Sequence, residues 1–284
     1  MAVGNQTDDN KRPAPAFIPA FPLSPALEIR VPPSGKEIFR TRDAFGPVQV
    51  FDDGEMRYLS FGGDDEQSCV LKAKPHIPQY DYIRAMLLPL LFRRPRDALL
   101  LGMGGGALAT FLFRHYPSLT LRAVELRPAV VEVAHAFFNL PMDSRLHIHT
   151  QEAGDFVRTA GHQATDLLLV DLYDAQGMDE RYFQPWFIDT CADLVTDDGW
   201  LVINCWEDHR ADHDTLGAII QNFEEVYTCE VDSGNWVVLA AKARTGIDQQ
   251  RLLAQADTQA KKFGFPVQVY LEKLYQVSGF DEDD

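Results

Sequence analysis

The sequence is short of basic residues and has no long apolar run. Its 284 residues carry 26 Lys and Arg against 42 Asp and Glu, for a formal charge of −16. Nucleic-acid binding depends on clustered basic side chains that contact phosphates, so this balance argues against a nucleic-acid partner. No apolar stretch approaches the ~20 residues of a membrane span, and no basic start followed by an apolar core marks a secretory signal. We therefore expect neither a membrane anchor nor secretion.

Cysteine is scarce as well, and the four cysteines include no Cys-x-x-Cys pair. Such widely spaced thiols indicate reduced cysteines in a cytoplasmic protein. His147, His149 and the acid- and imidazole-rich segment 207–214 match no common zinc pattern, so we predict no metal site. Hydrophobic residues make up 46% of the chain, enough for a substantial core in one large or two unequal domains.

Composition divides the chain into four regions. Residues 1–30 are polar and then rich in proline, which is typical of a flexible tail. Residues 31–75 hold two alternating segments around Asp52-Asp53-Gly54, which predicts a hairpin in a small antiparallel β-domain. Residues 76–245 alternate strand and helix and are expected to form a second, larger domain. Residues 246–284 are expected to form one or two helices and an acidic tip.

The alternating region has the pattern of a parallel sheet covered on both faces. Segments 167–170 and 201–203 are apolar throughout, as expected of such buried strands. The last two strands are joined only by residues 232–235, too short for a parallel crossover, so they should be antiparallel. We predict an α/β fold of the class I methyltransferase-like (Rossmann-like) type, with a mostly parallel seven-stranded sheet after the small β-domain. Its strands are predicted at 98–102, 119–125, 146–150, 167–172, 200–206, 225–231 and 236–241.

The glycine turn that follows the first of these strands carries the strongest functional signal. An apolar run enters Gly102, Gly104, Gly105 and Gly106 and then a helical pattern. Glycine permits a sharp turn and close approach of a ligand, and a strand, glycine turn and helix start together can cradle a nucleotide. The third glycine falls one place early for Gly-x-Gly-x-x-Gly. Tight packing alone is the alternative explanation of these glycines.

Acidic residues follow the next three strands, at the sheet edge where ligands bind in open parallel sheets. Glu125 ends the second strand, ~20 residues after the glycine turn, where a carboxylate typically accepts hydrogen bonds from ribose hydroxyls. Asp155 lies near a helix start after the third strand, and Asp171 follows the fourth. Taken singly, these residues would also fit a strand-end charge, a helix-dipole partner and a turn residue. Their joint placement favours one binding site.

The order of these motifs resembles that of the spermidine synthases, which are polyamine aminopropyltransferases. The resemblance covers about residues 37–241, and Asp171-x-x-Asp174 followed by Gly177 is its most diagnostic part. The segment Phe45-Gly46-Pro47-Val48 before the Asp-Gly hairpin belongs to the same pattern. The resemblance implies transfer of an aminopropyl group from decarboxylated S-adenosylmethionine to an amine such as putrescine, with methylthioadenosine as the other product. It also implies a homodimer and no permanently bound cofactor.

The resemblance also assigns roles to individual residues. Asp171 would be the base that deprotonates the acceptor amine, and Asp174 would anchor its ammonium groups. Tyr173 and Tyr182 would line the amine channel. On the donor side, Glu125 would hold the ribose, and Asp155 of the Gly154-Asp155 pair would hold the adenine amino group.

The chain departs from the family pattern at three places. Gly105 stands where spermidine synthases usually carry Asp, and the family's Tyr-His-Glu is missing from the region of Tyr80 and Tyr82. Arg57 takes the place of a Gln after the hairpin, so Arg57 and Tyr82 are further candidates for substrate contact. A lost anion and a gained cation would suit a donor that keeps its carboxylate, or an acceptor that carries one. An S-adenosylmethionine-dependent methyltransferase and a non-catalytic adenosyl-nucleoside-binding paralogue therefore remain alternatives.

Overall fold

The computed structural model describes residues 35–63, 66–159, 163–174 and 177–277. The expected tail, 1–30, and the acidic tip, 281–284, lie outside these ranges. The N-terminal segments form the predicted antiparallel sheet, with neighbouring strands in chain order. These strands are β1 (Lys36–Asp43), β2 (Gly46–Asp53), β3 (Met56–Ser60) and β4 (Glu66–Leu71). The predicted hairpin joins β2 to β3, with Asp53 paired to Met56.

Helices and strands alternate through most of the remaining described chain. The helices are α1 (Asp81–Met86), α2 (Ala107–His115), α3 (Pro128–Phe137), α4 (Ala153–Thr159), α5 (Pro185–Asp193), α6 (His213–Asn222), α7 (Gln249–Phe263) and α8 (Gln268–Glu272). The strands are β5 (Asp97–Leu101), β6 (Thr120–Glu125), β7 (Leu146–Thr150), β8 (Thr165–Val170), β9 (Tyr173–Asp174), β10 (Gly177–Met178), β11 (Val195–Trp206), β12 (Glu225–Glu230), β13 (Asn235–Ala241) and β14 (Leu274–Gln276).

The main sheet has the strand order β14-β12-β13-β11-β8-β5-β6-β7. The pairs from β11 through β7 are parallel, whereas β13 runs antiparallel to both β11 and β12. All seven predicted strands are present, and the predicted fold class is confirmed. The C-terminal extension contains the expected helices but also β14, which the sequence did not predict. Leu274 is buried, and β14 covers an edge of β12 that would otherwise be unpaired.

The N-terminal sheet packs against α3, and this contact positions the sheet beside the candidate site. Its inner face shares one apolar cluster with that helix and the residue after it, made of Val48, Val50, Leu59, Val70, Val130, Val133 and Phe138. Arg127, at the start of α3, adds a nearly buried ion pair with Asp43 at 2.8 Å and lies over the ring of Phe61. The small sheet is thereby fixed beside the carboxyl ends of β5 and β6.

Other sequence expectations concern cysteine, metals and membranes. All four cysteines are free and buried. Within the described ranges, no three or more His, Cys, Asp or Glu side chains are arranged to hold a metal ion. In the same ranges, no helix has the length and apolarity to span a bilayer.

Candidate active site

The glycine turn touches the strand that carries Asp171, so two predicted site elements meet. Gly102 has φ +83°, and a Cβ there would overlap the carbonyl oxygen of Asp171. The Asp171 N–H in turn donates to the Leu101 carbonyl at 2.8 Å. Glycine is therefore required at position 102 both for its backbone conformation and for the close approach of β5 to the end of β8.

Glu125 binds the glycine turn from the neighbouring strand. Its carboxylate accepts N–H bonds from Met103 and Gly104, both at 3.2 Å, and from Arg127 at 3.0 Å. Burial raises the pKa of Glu125, while these three bonds favour its ionised form. A carboxylate has about four lone-pair sites, so Glu125 can hold the turn and still accept a ligand hydroxyl. Its role as ribose acceptor remains a prediction.

The departure at Gly105 has a steric reason. The N–H of Gly105 donates to Ser68 Oγ of β4 at 2.7 Å. A Cβ at position 105 would lie 2.8 Å from Ser68 Cβ and 3.1 Å from Phe138 Cδ1. Ser68 and Phe138 thus occupy the space that an aspartate at this position would need.

Asp171 lies at the start of a polar network that the sequence did not predict. Its Oδ1 accepts a bond from Asn204 Nδ2 at 2.9 Å, and Asn204 Oδ1 accepts one from Asn235 at 3.0 Å. Asn235 also reaches the Tyr173 hydroxyl at 3.4 Å. Burial raises the pKa of Asp171 to about 6, against the opposing effect of the Asn204 bond. This carboxyl group can therefore exchange a proton near neutral pH.

Tyr82 and Tyr173 lie close to Asp171. Burial holds the pKa of the Tyr82 hydroxyl well above its usual range, and the charges of Asp171 and Tyr173 raise it further. The role of Tyr82 as a substrate contact remains a prediction. Asp174 belongs to the short strand β9, whose backbone pairs with Gly177 of β10. Its role in amine binding remains a prediction.

The donor-side residues lie around the start of α4. Glu152 accepts the Asp155 N–H at 2.6 Å and a hydrogen bond from the Tyr182 hydroxyl. Tyr182 is therefore bound to the loop between β7 and α4, whereas Tyr173 lies close to Asp171. Asp155 itself is exposed and pairs with Arg158 at 3.3 Å. Gly154 is buried beside Glu152. The sequence does not predict the contacts of Glu152 with Asp155 and Tyr182.

Within the described ranges, Arg57 has Asp52 and Phe137 as its side-chain partners and contacts none of the other candidate residues. Its guanidinium binds both oxygens of Asp52, at 2.7 and 3.0 Å, and donates to the Phe137 carbonyl at 2.9 Å. Its neighbour Tyr58 points to the other face of β3 and is buried with Cys69 and Tyr80. Side chains alternate along a strand, so the residue that faces the Tyr80 side is Tyr58.

A second carboxylate, Glu66, lies on the Tyr58 side of the small sheet. Tyr80 donates its hydroxyl to Glu66 at 3.2 Å, and the ring of Tyr80 stacks on Tyr82 with centroids 5.7 Å apart. Burial raises the pKa of Glu66 to about 7, although the Tyr80 bond opposes this shift. Within the described ranges no cation forms an ion pair with Glu66. A β-bulge between β3 and β4, where Ser60 pairs with Glu66, places this residue there.

The sheet topology and the strand-end site define a protein of the class I methyltransferase-like fold with an added N-terminal β-sheet. The family model "Spermine/spermidine synthase domain" matches residues 82–238, more than half of the chain. The chain therefore belongs to the spermine/spermidine synthase family, and it is a transferase. The resemblance inferred from its motifs is confirmed.

Individual proteins show the same relationship. A polyamine aminopropyltransferase of Chromobacterium violaceum is 27% identical over 241 residues, which cover 83% of this chain and 92% of that protein. A probable spermidine synthase of Corynebacterium glutamicum has a similar structure, with a TM-score of 0.66, 14% identity, and coverage of 77% of this chain and 86% of that chain. Human methyltransferase-like protein 13, in complex with SAH, has a TM-score of 0.58 at 19% identity and covers 72% of this chain and 97% of its own. These two structures share the fold.

Proposed function

We propose that this protein transfers an aminopropyl group from decarboxylated S-adenosylmethionine to an amine such as putrescine. One observation carries the proposal: the carboxyl group of Asp171, whose pKa burial raises to about 6, is oriented by Asn204 at the edge of the sheet beside the glycine turn. Family membership and the similarity to a polyamine aminopropyltransferase support the same reaction class.

The reaction needs a base more than it needs covalent catalysis. An alkylammonium has a pKa near that of Lys, ~10, so the acceptor arrives protonated and cannot attack carbon. Asp171 takes one proton, and the amine nitrogen then forms a bond to the donor's aminopropyl carbon. The carbon–sulfur bond breaks, its electron pair stays on sulfur, and methylthioadenosine leaves. Holding the two reactants together supplies much of the remaining rate.

On the donor side, the proposal uses the glycine turn and the residues after β6 and β7. Glu125 keeps the turn in shape and accepts from the ribose, while Gly154 allows the nucleoside to approach α4. Asp155 is exposed and free to exchange Arg158 for the adenine amino group. The donor is a co-substrate here, and no permanently bound cofactor is required.

On the acceptor side, we infer that Glu66 binds the distal ammonium of a diamine. The tyrosine pair of Tyr80 and Tyr82 connects Glu66 with Asp171, and aromatic faces attract alkylammonium groups. A half-buried carboxylate without a cation is partly desolvated, and a cationic ligand offsets that cost. Asp174 and Tyr173 complete the acceptor side.

Methyl transfer from S-adenosylmethionine is the second candidate. It is favoured by Gly105, which brings no carboxylate to the donor's amine end, so a donor that keeps its own carboxylate is better tolerated there. The fold itself does not separate the two reactions, because a methyltransferase shares it.

The nucleoside product distinguishes the candidates. The protein is incubated with each donor and a panel of amines, and the products are identified by mass spectrometry. Methylthioadenosine is expected, and its loss in Asp171→Asn would tie the reaction to this site. S-Adenosylhomocysteine would instead establish the methyltransferase. Ligand binding without turnover for every amine would leave a non-catalytic nucleoside-binding paralogue.

Glu66→Gln tests the acceptor assignment separately. One charge-assisted hydrogen bond is worth roughly 1.5–3 kcal/mol, so the KM for putrescine should rise about 10-fold or more while the KM for the donor stays nearly constant. A rise in the donor KM alone would place the donor's ammonium at Glu66. Tyr58→Phe, which keeps both carboxylates, serves as the matched control.

We also propose a homodimer. The N-terminal β1 is an edge strand with exposed Ile38 and Phe39, and Phe45 follows it in the turn to β2. Light scattering on the purified full chain tests this assembly, and a monomer at all concentrations would refute it.

A further inference from the structure

A cavity of about 400 Å³ lies at the end of α2 opposite the glycine turn. It is bounded by residues 76–77, by the last residues of α2 and by the end of α7. Every titratable side chain that lines it is basic: His76, Arg114, His115, Lys261 and Lys262. The chain as a whole carries a charge of −16, so a cavity lined this way is opposite in sign to the rest of the protein.

These cations are not neutralised by neighbouring acids. Within the described ranges, no carboxylate oxygen lies within 4.0 Å of the charged nitrogens of Arg114, Lys261 or Lys262. The Lys262 ammonium lies instead over the ring of Tyr116, 5.3 Å from its centroid. An acidic protein has many carboxylates with which surface cations can pair, so three unpaired cations at one cavity form a local region of positive potential.

The directions of the pKa shifts around the cavity agree with a region of positive potential. Burial lowers the pKa of His76, and Arg114, His115 and Lys74 lower it further. Burial and then Arg94 likewise lower the pKa of Lys262. The cations thus repel one another, and the repulsion would be relieved by a bound anion.

Helix dipoles explain only some of the basic residues in and around this cavity. Cations in the last turn of a helix are stabilised by its carbonyl end, which applies to α2 and α7. The His115 ring lies at these carbonyl ends, with its Nδ1 2.9 Å from the Phe111 carbonyl and its Nε2 2.9 Å from the Lys262 carbonyl. Lys74, His76 and Arg94 lie outside both helices, and the dipoles do not explain them.

We propose that this cavity is a binding site for the phosphate group of a small molecule, separate from the catalytic edge. Arg114 offers a planar fork that matches two phosphate oxygens, and the Lys261 ammonium adds a point charge. His76 lies across from His115, with ring centroids 6.4 Å apart, and can donate from the other side. The cavity volume is within the range of small-molecule sites, ~300–1,000 Å³.

Calorimetric titration of the full chain with inorganic pyrophosphate at low salt tests this proposal. The expected result is saturable binding at one site per chain. The variant Arg114→Gln/Lys261→Gln should weaken this binding at least ~10-fold, because it removes two charge-assisted contacts. Both side chains are exposed, and an unchanged melting temperature without pyrophosphate would verify the fold. Arg251→Gln, which removes one positive charge from the first turn of α7, is the matched control and should bind as the unmodified chain does.

Three results would overturn the proposal. Sodium chloride at equal ionic strength could give the same heat as pyrophosphate, the double variant could bind as tightly as the unmodified chain, or Arg251→Gln could lose as much affinity as the double variant. Each would mean that pyrophosphate responds to the overall charge and not to this cavity. Because aminopropyl transfer is not measured, failure here leaves the proposed function untouched.

Discussion

Replacing Asp171 by asparagine tests the proposed chemistry most directly. The change keeps the shape of the side chain, and the introduced amide oxygen can still accept the bond from Asn204 Nδ2 that Oδ1 accepts at 2.9 Å. It removes a carboxylate whose burial raises its pKa to about 6. The fold should therefore be retained, and the unliganded variant should be no less stable than the original at pH 8.

The expected loss is in the reaction with the acceptor. General-base catalysis contributes roughly 10²–10⁴-fold, or about 3–5 kcal/mol in the activation free energy. Because the Asp171 carboxylate must be ionised to accept a proton, kcat/KM for the acceptor in the original protein should fall as pH drops through about 6. Asp171→Asn should lower kcat/KM by that factor and remove the part of this acid limb that Asp171 causes, leaving the part due to protonation of Glu66, whose pKa is raised to about 7. Donor binding should stay within about two-fold, since Glu125 and the glycine turn are unchanged.

The measurement is initial rates of methylthioadenosine release across pH, with donor affinity obtained separately by titration. Two results would refute the reasoning. A loss smaller than about 10-fold would mean that Asp171 is not the base, since such a loss is below the usual range. If donor affinity fell together with the rate, the substitution would be disturbing the glycine turn, in which Gly102 packs against Asp171.

Three further predictions concern neighbouring residues. Asn204→Leu removes the bond that lowers the Asp171 pKa, so the acid limb should move to higher pH; an unmoved limb would contradict this. Since the folded-state pKa values of Asp171 and Glu66 are raised, these two groups bind more protons in the folded protein than in the unfolded chain between about pH 4 and 7, and their contribution to stability should fall as pH rises through that window. Glu66→Gln should make the melting temperature depend less steeply on pH in this window, and an unaltered slope of melting temperature against pH would contradict the prediction. Gly105→Ala should lower the free energy of unfolding by roughly 1–3 kcal/mol through overpacking, and by less in a Ser68→Gly background. Chemical denaturation measures both changes, and additive effects of the two substitutions would contradict this prediction.

The fold was predictable because the buried strands have a simple pattern. The apolar runs in β8 and β11 identify parallel strands covered on both faces, and the short link before β13 identifies an antiparallel pair. Three-residue β14 has no such signal, because Leu274-Tyr275-Gln276 is too short to show a period. Its pairing depends on β12, which lies far away in the sequence.

The site was predictable only where it follows strand ends. Glu125 and Asp171 could be placed because the carboxyl ends of parallel strands share one edge. Asn204 could not, because its contact with Asp171 depends on the register between β11 and β8. Arg57 was a candidate only because it follows the hairpin at the position of the family's Gln. Alternation along a strand fixes which residues share a face but not which face meets the site, so Tyr58 carried no signal.

The absence of an acid at Gly105 is tied to the small sheet. Ser68 fills the space an aspartate would need, and Glu66 lies two residues earlier on the same strand, turned to the other face by the bulge. The carboxylate that the glycine turn lacks thus has a counterpart on β4, at the far end of the tyrosine pair from Asp171. Two carboxylates with raised pKa values at opposite ends of an aromatic wall stabilise a ligand with two positive charges far more than one with a single charge. A diamine acceptor has that charge pattern. The charge distribution of the site therefore supports the proposal of a diamine acceptor even though the family's usual aspartate is missing.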